Sequence, residues 1–456
     1  ILPTISFTKK RLDSIELYPY KRLFQEGLSS VMVAHLNVPA LEKRRNLPSS
    51  ISKTIVTDLL QNHLNFQGLI FTDALNMKGA SNFKKPGEID LAAFLAGNDV
   101  LLISESIPKA HQLIVEAFRK GKISEERLSR SVKKILFAKY KVGLNNYQPI
   151  ELSSLLSDLN TPYDDFLYEK AIENALTVVK NDRLIIPIKK LENTKIAYVH
   201  MGDDSGTYFL NQLNKYTKVD WIKANSIADY KQKLKEYDLT IIGFHKSNIN
   251  PWKEYKFSDH ELTTLYEISR TNKVILDVFT RPYALNDIQS FSNINGIVLS
   301  YQNSKISQEL SAQLIFGSIN AKGSLPVSIG NQFPVNTTNF TRLQKRLQYG
   351  TPESVGINSI KLKKIDSLVN HGIKENMMPG AQVLVARKGK IIYNKAFGYH
   401  TQEKITKVSE NDVYDLASLT KILATLPMVM KLVDDNTISL DTKISELLPE
   451  YFGTNK

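Results

Sequence analysis

Gly68-Leu69-Ile70-Phe71-Thr72-Asp73-Ala74-Leu75-Asn76-Met77-Lys78-Gly79 is the stretch on which the reading of this chain turns. Residues 69–73 are compact, apolar and rich in β-formers, and they follow a glycine. That pattern predicts a buried strand. Asp73 closes it. The carboxyl ends of parallel strands open onto the active face of a barrel, so a carboxylate fixed there can attack an electrophilic carbon. The alternative for Asp73 is a cap on the next helix.

Working outward, Ser30-Val31-Met32-Val33-Ala34-His35 predicts a second buried strand and Val100-Leu101-Leu102-Ile103 a third. Helical patterns fall at 51–64, 88–96 and 109–120. A last helix over 125–141 starts after Ser124, carries Glu125 and Glu126 in its first turn and stops near Gly143. Strands alternating with helices imply a parallel sheet. Residues 1–147 hold too few units for an eight-unit barrel of about 250 residues; they fit the C-terminal part of one.

Residues 160–330 repeat the alternation. Strands are expected at 196–199, 239–242, 274–277 and 297–299, and helices at 206–214, 226–236, 259–270 and 305–317. The pattern implies an open, doubly wound sheet. Gly202, Gly206 and Gly243 sit at strand ends, without a phosphate-binding glycine fingerprint. Residues 331–350 are polar and aperiodic and read as a linker. From 351 a helix over 357–375 precedes a hairpin, 381–386 with 390–397, turning at Lys388-Gly389. A further helix begins near Ser418.

Ser418-Leu419-Thr420-Lys421 is the second chemical signal. Ser–x–x–Lys at a helix start puts a hydroxyl and an amine about one turn apart on one face. The alternative is an N-capping serine.

Composition narrows the field. The 456 residues carry 59 Lys and Arg against 46 Asp and Glu, a net +13, with 42% apolar content and no cysteine. Such content is globular, and disulfides and thiol catalysis are excluded. The charge is spread without regular aromatic interleaving, which argues for a solvated basic surface and against nucleic acid as a partner. No apolar run reaches the length of a membrane span. The chain starts Ile1-Leu2-Pro3 without a visible signal peptide, and it is expected to be an internal piece of a longer polypeptide.

The segment 68–79 closely resembles the nucleophile segment of glycoside hydrolase family 3, most of all its bacterial β-N-acetylglucosaminidase branch. Val31-Met32-Val33-Ala34-His35-Leu36-Asn37-Val38-Pro39-Ala40-Leu41 and Gly97-Asn98-Asp99-Val100-Leu101-Leu102 resemble barrel strands of that branch. Residues 175–181 and Gly323-Ser324-Leu325-Pro326-Val327 resemble the start and end of the family's α/β sandwich domain. Asp415–Lys421, following Pro379-Gly380-Ala381 and the hairpin, resembles the N-terminal part of serine β-lactamase-like hydrolases and D,D-peptidases.

The fold these resemblances imply is α/β. It runs from the C-terminal part of a (β/α)8 barrel (1–147) through an α/β sandwich domain (160–330) and a linker (331–350) to a partial α+β, β-lactamase-like domain (351–456). They imply a retaining mechanism with Asp73 as nucleophile, no cofactor and no metal, and an acid/base residue upstream of Ile1. Ser418 would be acylated and Lys421 would help deprotonate it. His35, at a strand end, is expected to contact the sugar. The implied partner is a carbohydrate containing N-acetylglucosamine, in peptidoglycan-derived glycans, and the implied location is periplasmic or secreted. A β-glucosidase, and a serine acyl hydrolase whose glycosidase part only binds glycan, remain as alternatives. Glu88, Asp90 and Glu105 read as helix-start or surface carboxylates, and the remaining histidines lack metal-ligand spacing.

Overall fold

The structure is a computed structural model that describes residues 2–250 and 252–451, with backbone alone for Tyr451. The chain forms two compact units, Ile1–Glu151 and Leu152–Lys456.

In the first unit β1 (Ser30–Val33) and β2 (Leu69–Thr72) pair in parallel, Ser30 beside Leu69 and Val33 beside Thr72. Val31, Val33 and Ile70 pack on Val56, Phe66 and Ala96. Both strands were expected to be buried throughout; instead burial alternates along β1 and Met32 is 55% exposed. The third expected strand shrinks to one bridge, Val100 to Phe71. Side chains take over the ladder around it. The Asp99 carboxylate accepts Ile70 N at 3.0 Å, and the Thr72 hydroxyl accepts Leu102 N at 2.9 Å.

The helix Glu125–Lys141 has the predicted bounds, with Ser124 Oγ accepting Arg127 N and Gly143 left-handed after it. Its Arg127, Ser131 and Lys134 recur at helical spacing and all reach the buried Asp99. Lys134 Nζ lies 3.0 Å from that carboxylate, and Ser131 donates to it. This buried cluster fastens the helix to the sheet edge beside β2. The segment before β1 is helical in pieces, Lys9–Arg11, Leu12–Glu16 and Tyr18–Gln25, none of them expected from sequence.

In the second unit a six-stranded sheet runs β3 (Thr177–Asn181), β8 (Gly296–Leu299), β7 (Val274–Phe279), β6 (Leu239–His245), β4 (Ile196–Gly202), β5 (Val219–Trp221). All pairs are parallel except β3 with β8. One face packs on Pro162–Ala175, Thr207–Asn214 and Lys305–Ile315 through Ile172, Phe209, Leu213 and Leu310. The other packs on Ile227–Leu234 and Asp259–Ser269 through Leu234, Leu265 and Ile268.

Asp277, fully buried in β7, accepts hydrogen bonds from Ser300 Oγ at 2.7 Å and from Ser311 Oγ. Burial pushes its carboxyl up to about 7. The unfolded chain ionises Asp277 near pH 4, whereas the folded chain keeps the proton to about 7. Its contribution therefore falls as pH rises between those values. His245, buried between Tyr198 and Asn303, is pushed down to about 3 by burial, and its contribution is lost as pH falls from about 6.5 to 3. The two slopes oppose each other between pH 4 and 6.5. The stability of Asp277→Asn relative to the parent should rise from pH 4 to 7 and stay level above, by an amount on the order of 4 kcal/mol. Urea unfolding across that range measures it; a constant difference would contradict the assignment.

Residues 331–350, expected as a linker, lie packed as a strap. Asn339 bonds Val178 O and Val179 O, and the Arg346 guanidinium donates to Ile188 O, Lys189 O and Phe316 O. The strap ends in β9 (Gln348–Tyr349), which joins the hairpin of β10 (Gly380–Arg387) and β11 (Lys390–Gly398). Lys388 and Gly389 both have positive φ, which matches the right-handed strand twist.

Candidate active sites

Asp73 leaves β2 still clamped by β1, since its amide donates to Val33 O at 3.0 Å. Ala74 N donates to Asp73 Oδ1 at 2.8 Å, which leaves Oδ2 without a protein hydrogen bond among the described residues. The side chain is half-buried. It is not a helix cap: the next helix, Lys78–Ser81, is preceded by Met77. One carboxylate oxygen is thus oriented by the backbone and the other is open for chemistry.

His35 lies just past the end of β1, beside the peptide that follows Asp73. It is 4% exposed, and both ring nitrogens have protein partners. Nε2 lies 2.9 Å from Ala74 O and Nδ1 lies 2.6 Å from Ser50 Oγ. A carbonyl only accepts, so Nε2 carries the hydrogen and Nδ1 accepts from the Ser50 hydroxyl. The imidazole therefore holds the peptide immediately after Asp73. Ser49 extends the same turn, with its hydroxyl donating to Ala34 O and accepting from Leu36 N. Asn98 Nδ2 fastens Ser50 O at 2.8 Å. Ser50 carries no chemical motif of its own in the sequence and was not singled out there.

His35→Phe keeps a planar ring at this place but releases Ala74. It should lower kcat of the barrel chemistry about tenfold to a hundredfold with KM nearly unchanged, because misplacing an attacking group by about 1 Å costs that much. Steady-state kinetics test it; a pure KM effect would point to the expected contact with the sugar.

Asp90 is fully buried and accepts Gly87 N, so it belongs to the helix start as expected. Glu88 shares that first turn, and Glu105 is exposed. No group of three or more His, Asp or Glu suited to a metal occurs among the described residues.

The second pair lies in the other unit. Lys421 Nζ stands 3.2 Å from Ser418 Oγ. Ser418 sits inside the turn Ala417–Leu419, whose preceding cap is Leu416, so it is not the N-capping serine. Ala417 has φ +44, a strained value for a side chain with a Cβ, and its amide is held by Asp415 Oδ1 at 2.8 Å. The backbone is bent to present Ser418 outward, and both Ser418 and Lys421 are exposed.

Residues 2–138 match the description "Glycosyl hydrolase family 3 N terminal domain", and residues 365–456 match "Beta-lactamase". Within the first unit, residues 2–138 are thus similar to the family 3 N-terminal domain. Beta-hexosaminidase A of Pseudoalteromonas piscicida is 26% identical over 260 residues, covering 53% of this chain and 42% of that protein. "Beta-N-acetylglucosaminidase/beta-glucosidase" of Cellulomonas fimi is 25% identical over 179 residues, 38% of this chain and 32% of that one. The chain thus spans less than half the length of these curated relatives. The solved family 3 β-N-acetylglucosaminidase from Paenibacillus sp. str. FPU-7 superposes with a TM-score of 0.53 at 23% identity, over 72% of this chain and 64% of that chain. The architecture is that of the family 3 proteins, part of a barrel and an α/β sandwich, followed by a β-lactamase-like segment. In that setting the family 3 segment carries Asp73 and the β-lactamase-like segment carries Ser418 and Lys421.

Proposed function

We propose that Asp73 is the nucleophile of a retaining glycoside hydrolase that releases terminal β-linked N-acetylglucosamine, in glycans derived from peptidoglycan and outside the cytoplasm. The observation that carries this reading is the open Oδ2 of Asp73 at the carboxyl end of β2, with Oδ1 held by Ala74 N. Oδ2 attacks the anomeric carbon as the glycosidic bond breaks, while a second group protonates the leaving oxygen. Water then releases the sugar from the ester. The similarity to a β-hexosaminidase supports the acetamido sugar.

The test is the relative kcat/KM for p-nitrophenyl N-acetyl-β-glucosaminide and p-nitrophenyl β-glucoside in a polypeptide carrying this chain. Preference for the acetamido substrate is expected. Preference for the glucoside would make the protein a β-glucosidase.

The contact of Lys421 Nζ with Ser418 Oγ favours a second reading, a serine acyl hydrolase in the β-lactamase-like segment. There the Lys421 amine would help remove the Ser418 proton as the hydroxyl oxygen bonds to an acyl carbon, and the bond from that carbon to its leaving group would break, the leaving group departing with the proton.

A further inference from the structure

The backbone beyond β2 departs from a regular ladder by one residue. Phe71 and Val100 form a parallel bridge, in which Val100 N donates to Ile70 O at 3.1 Å and Thr72 N to Val100 O at 3.0 Å. In a regular parallel ladder the next two bonds would run from Leu102 N to the Thr72 carbonyl and from Ala74 N to the Leu102 carbonyl. Neither is present. Leu102 N donates instead to the Thr72 hydroxyl at 2.9 Å, and the Leu102 carbonyl accepts Leu75 N, also at 2.9 Å. Ala74 N is left out of the ladder, and it donates to Asp73 Oδ1 at 2.8 Å.

The slip of one residue and the aim of the carboxylate are thus a single arrangement. The side chain at its origin is Thr72, which is fully buried and immediately precedes Asp73. Its hydroxyl draws the Leu102 amide away from the backbone carbonyl. Ile103, next along, has φ +45, a strained value for a β-branched side chain. The chain therefore bends out of the ladder, at a cost, just after the residue that Thr72 holds. On the opposite flank Asp73 N donates to Val33 O and His35 Nε2 to Ala74 O, so residues 72–75 are anchored from both neighbours. An apolar isostere at 72 would leave Leu102 N to the residue-72 carbonyl, extend the ladder and return Ala74 N to the Leu102 carbonyl. Asp73 would then lose the bond that fixes Oδ1.

We propose that Thr72 is a positioning residue for Asp73: its hydroxyl takes the Leu102 amide in place of a backbone carbonyl, and the resulting slip frees the Ala74 amide to orient the carboxylate. The proposal rests on the reading of Asp73 as the nucleophile. Being fully buried, Thr72 acts through Asp73 and does not touch the sugar.

The test compares Thr72→Val and Thr72→Ser with the parent in a polypeptide carrying this chain. Two quantities are read. One is kcat and KM for p-nitrophenyl N-acetyl-β-glucosaminide; the other is the rate at which 5-fluoro-N-acetyl-β-glucosaminyl fluoride esterifies Asp73, followed by mass spectrometry. Thr72→Val should slow adduct formation and lower kcat about tenfold to a hundredfold, with KM within about twofold, because the lost orientation falls on the chemical step. Thr72→Ser keeps the hydroxyl and should hold both rates within about threefold of the parent. If Thr72→Val does not fold, Thr72→Cys carries the test: its sulfur is a weak acceptor, and adduct formation should be about fivefold or more slower than in Thr72→Ser. The proposal alone is overturned if the adduct on Asp73 forms as fast in Thr72→Val as in the parent, if Thr72→Cys matches Thr72→Ser, or if the unfolding midpoint falls while kcat is unchanged. An adduct on another side chain of the parent overturns the reading of Asp73, and this proposal with it.

Discussion

Asp73→Asn should reduce kcat for release of p-nitrophenol from p-nitrophenyl N-acetyl-β-glucosaminide by about four orders of magnitude, with the fold intact. Asn is isosteric, and its Oδ1 still accepts Ala74 N. On the proposed mechanism, what is lost is the oxygen that bonds to the anomeric carbon. Removing a covalent nucleophile removes a step that no neighbouring group replaces, which is why the expected loss is so large. The unfolding midpoint should be unchanged, because Oδ2 has no protein hydrogen bond to lose. If kcat drops by less than tenfold, the nucleophile is another side chain.

The second large effect concerns the other unit. Covalent labelling by a fluorophosphonate probe, followed by mass spectrometry, should modify Ser418 and vanish in Ser418→Ala. Lys421→Met should slow labelling about a thousandfold, since the hydroxyl would lose the base standing 3.2 Å away. Both side chains are exposed, so neither substitution leaves a buried group unpaired and both variants should fold. Labelling that persists in Ser418→Ala, or that is indifferent to Lys421→Met, would reduce the Ser–x–x–Lys spacing to coincidence.

How far the sequence could be read depends on where the deciding interactions lie. The helix Glu125–Lys141 announces itself locally, with a serine cap, two glutamates in the first turn and a glycine after it. The hairpin does the same through Lys388-Gly389. The helical segments before β1 were missed because they come as pieces of three, five and eight residues, too short for a repeated apolar period to stand out, and of these 16 residues only Leu12 is buried. The strand at Val100 was over-read. An apolar run predicts a ladder, but the Asp99 carboxylate and Thr72 hydroxyl take the amides that would have extended it.

The site divides along the same line. The place of Asp73, at the end of a β-rich run after a glycine, was legible from adjacent residues. The hydrogen bonding of His35 was not. Its two partners lie 15 and 39 positions away, and only the folded chain shows that both ring nitrogens are spent. The strap at 331–350 was illegible for a related reason. Its polar residues pack by donating to backbone carbonyls of distant segments, and a polar composition alone cannot distinguish that from solvation.

The most direct test of the central claim is to trap the glycosyl-enzyme. A polypeptide carrying this chain is incubated with 5-fluoro-N-acetyl-β-glucosaminyl fluoride, digested at low pH and mapped by tandem mass spectrometry. One fluorosugar should be found, esterified to Asp73. An adduct on any other side chain, or catalytic turnover of the unfluorinated substrate without any adduct, would contradict the account.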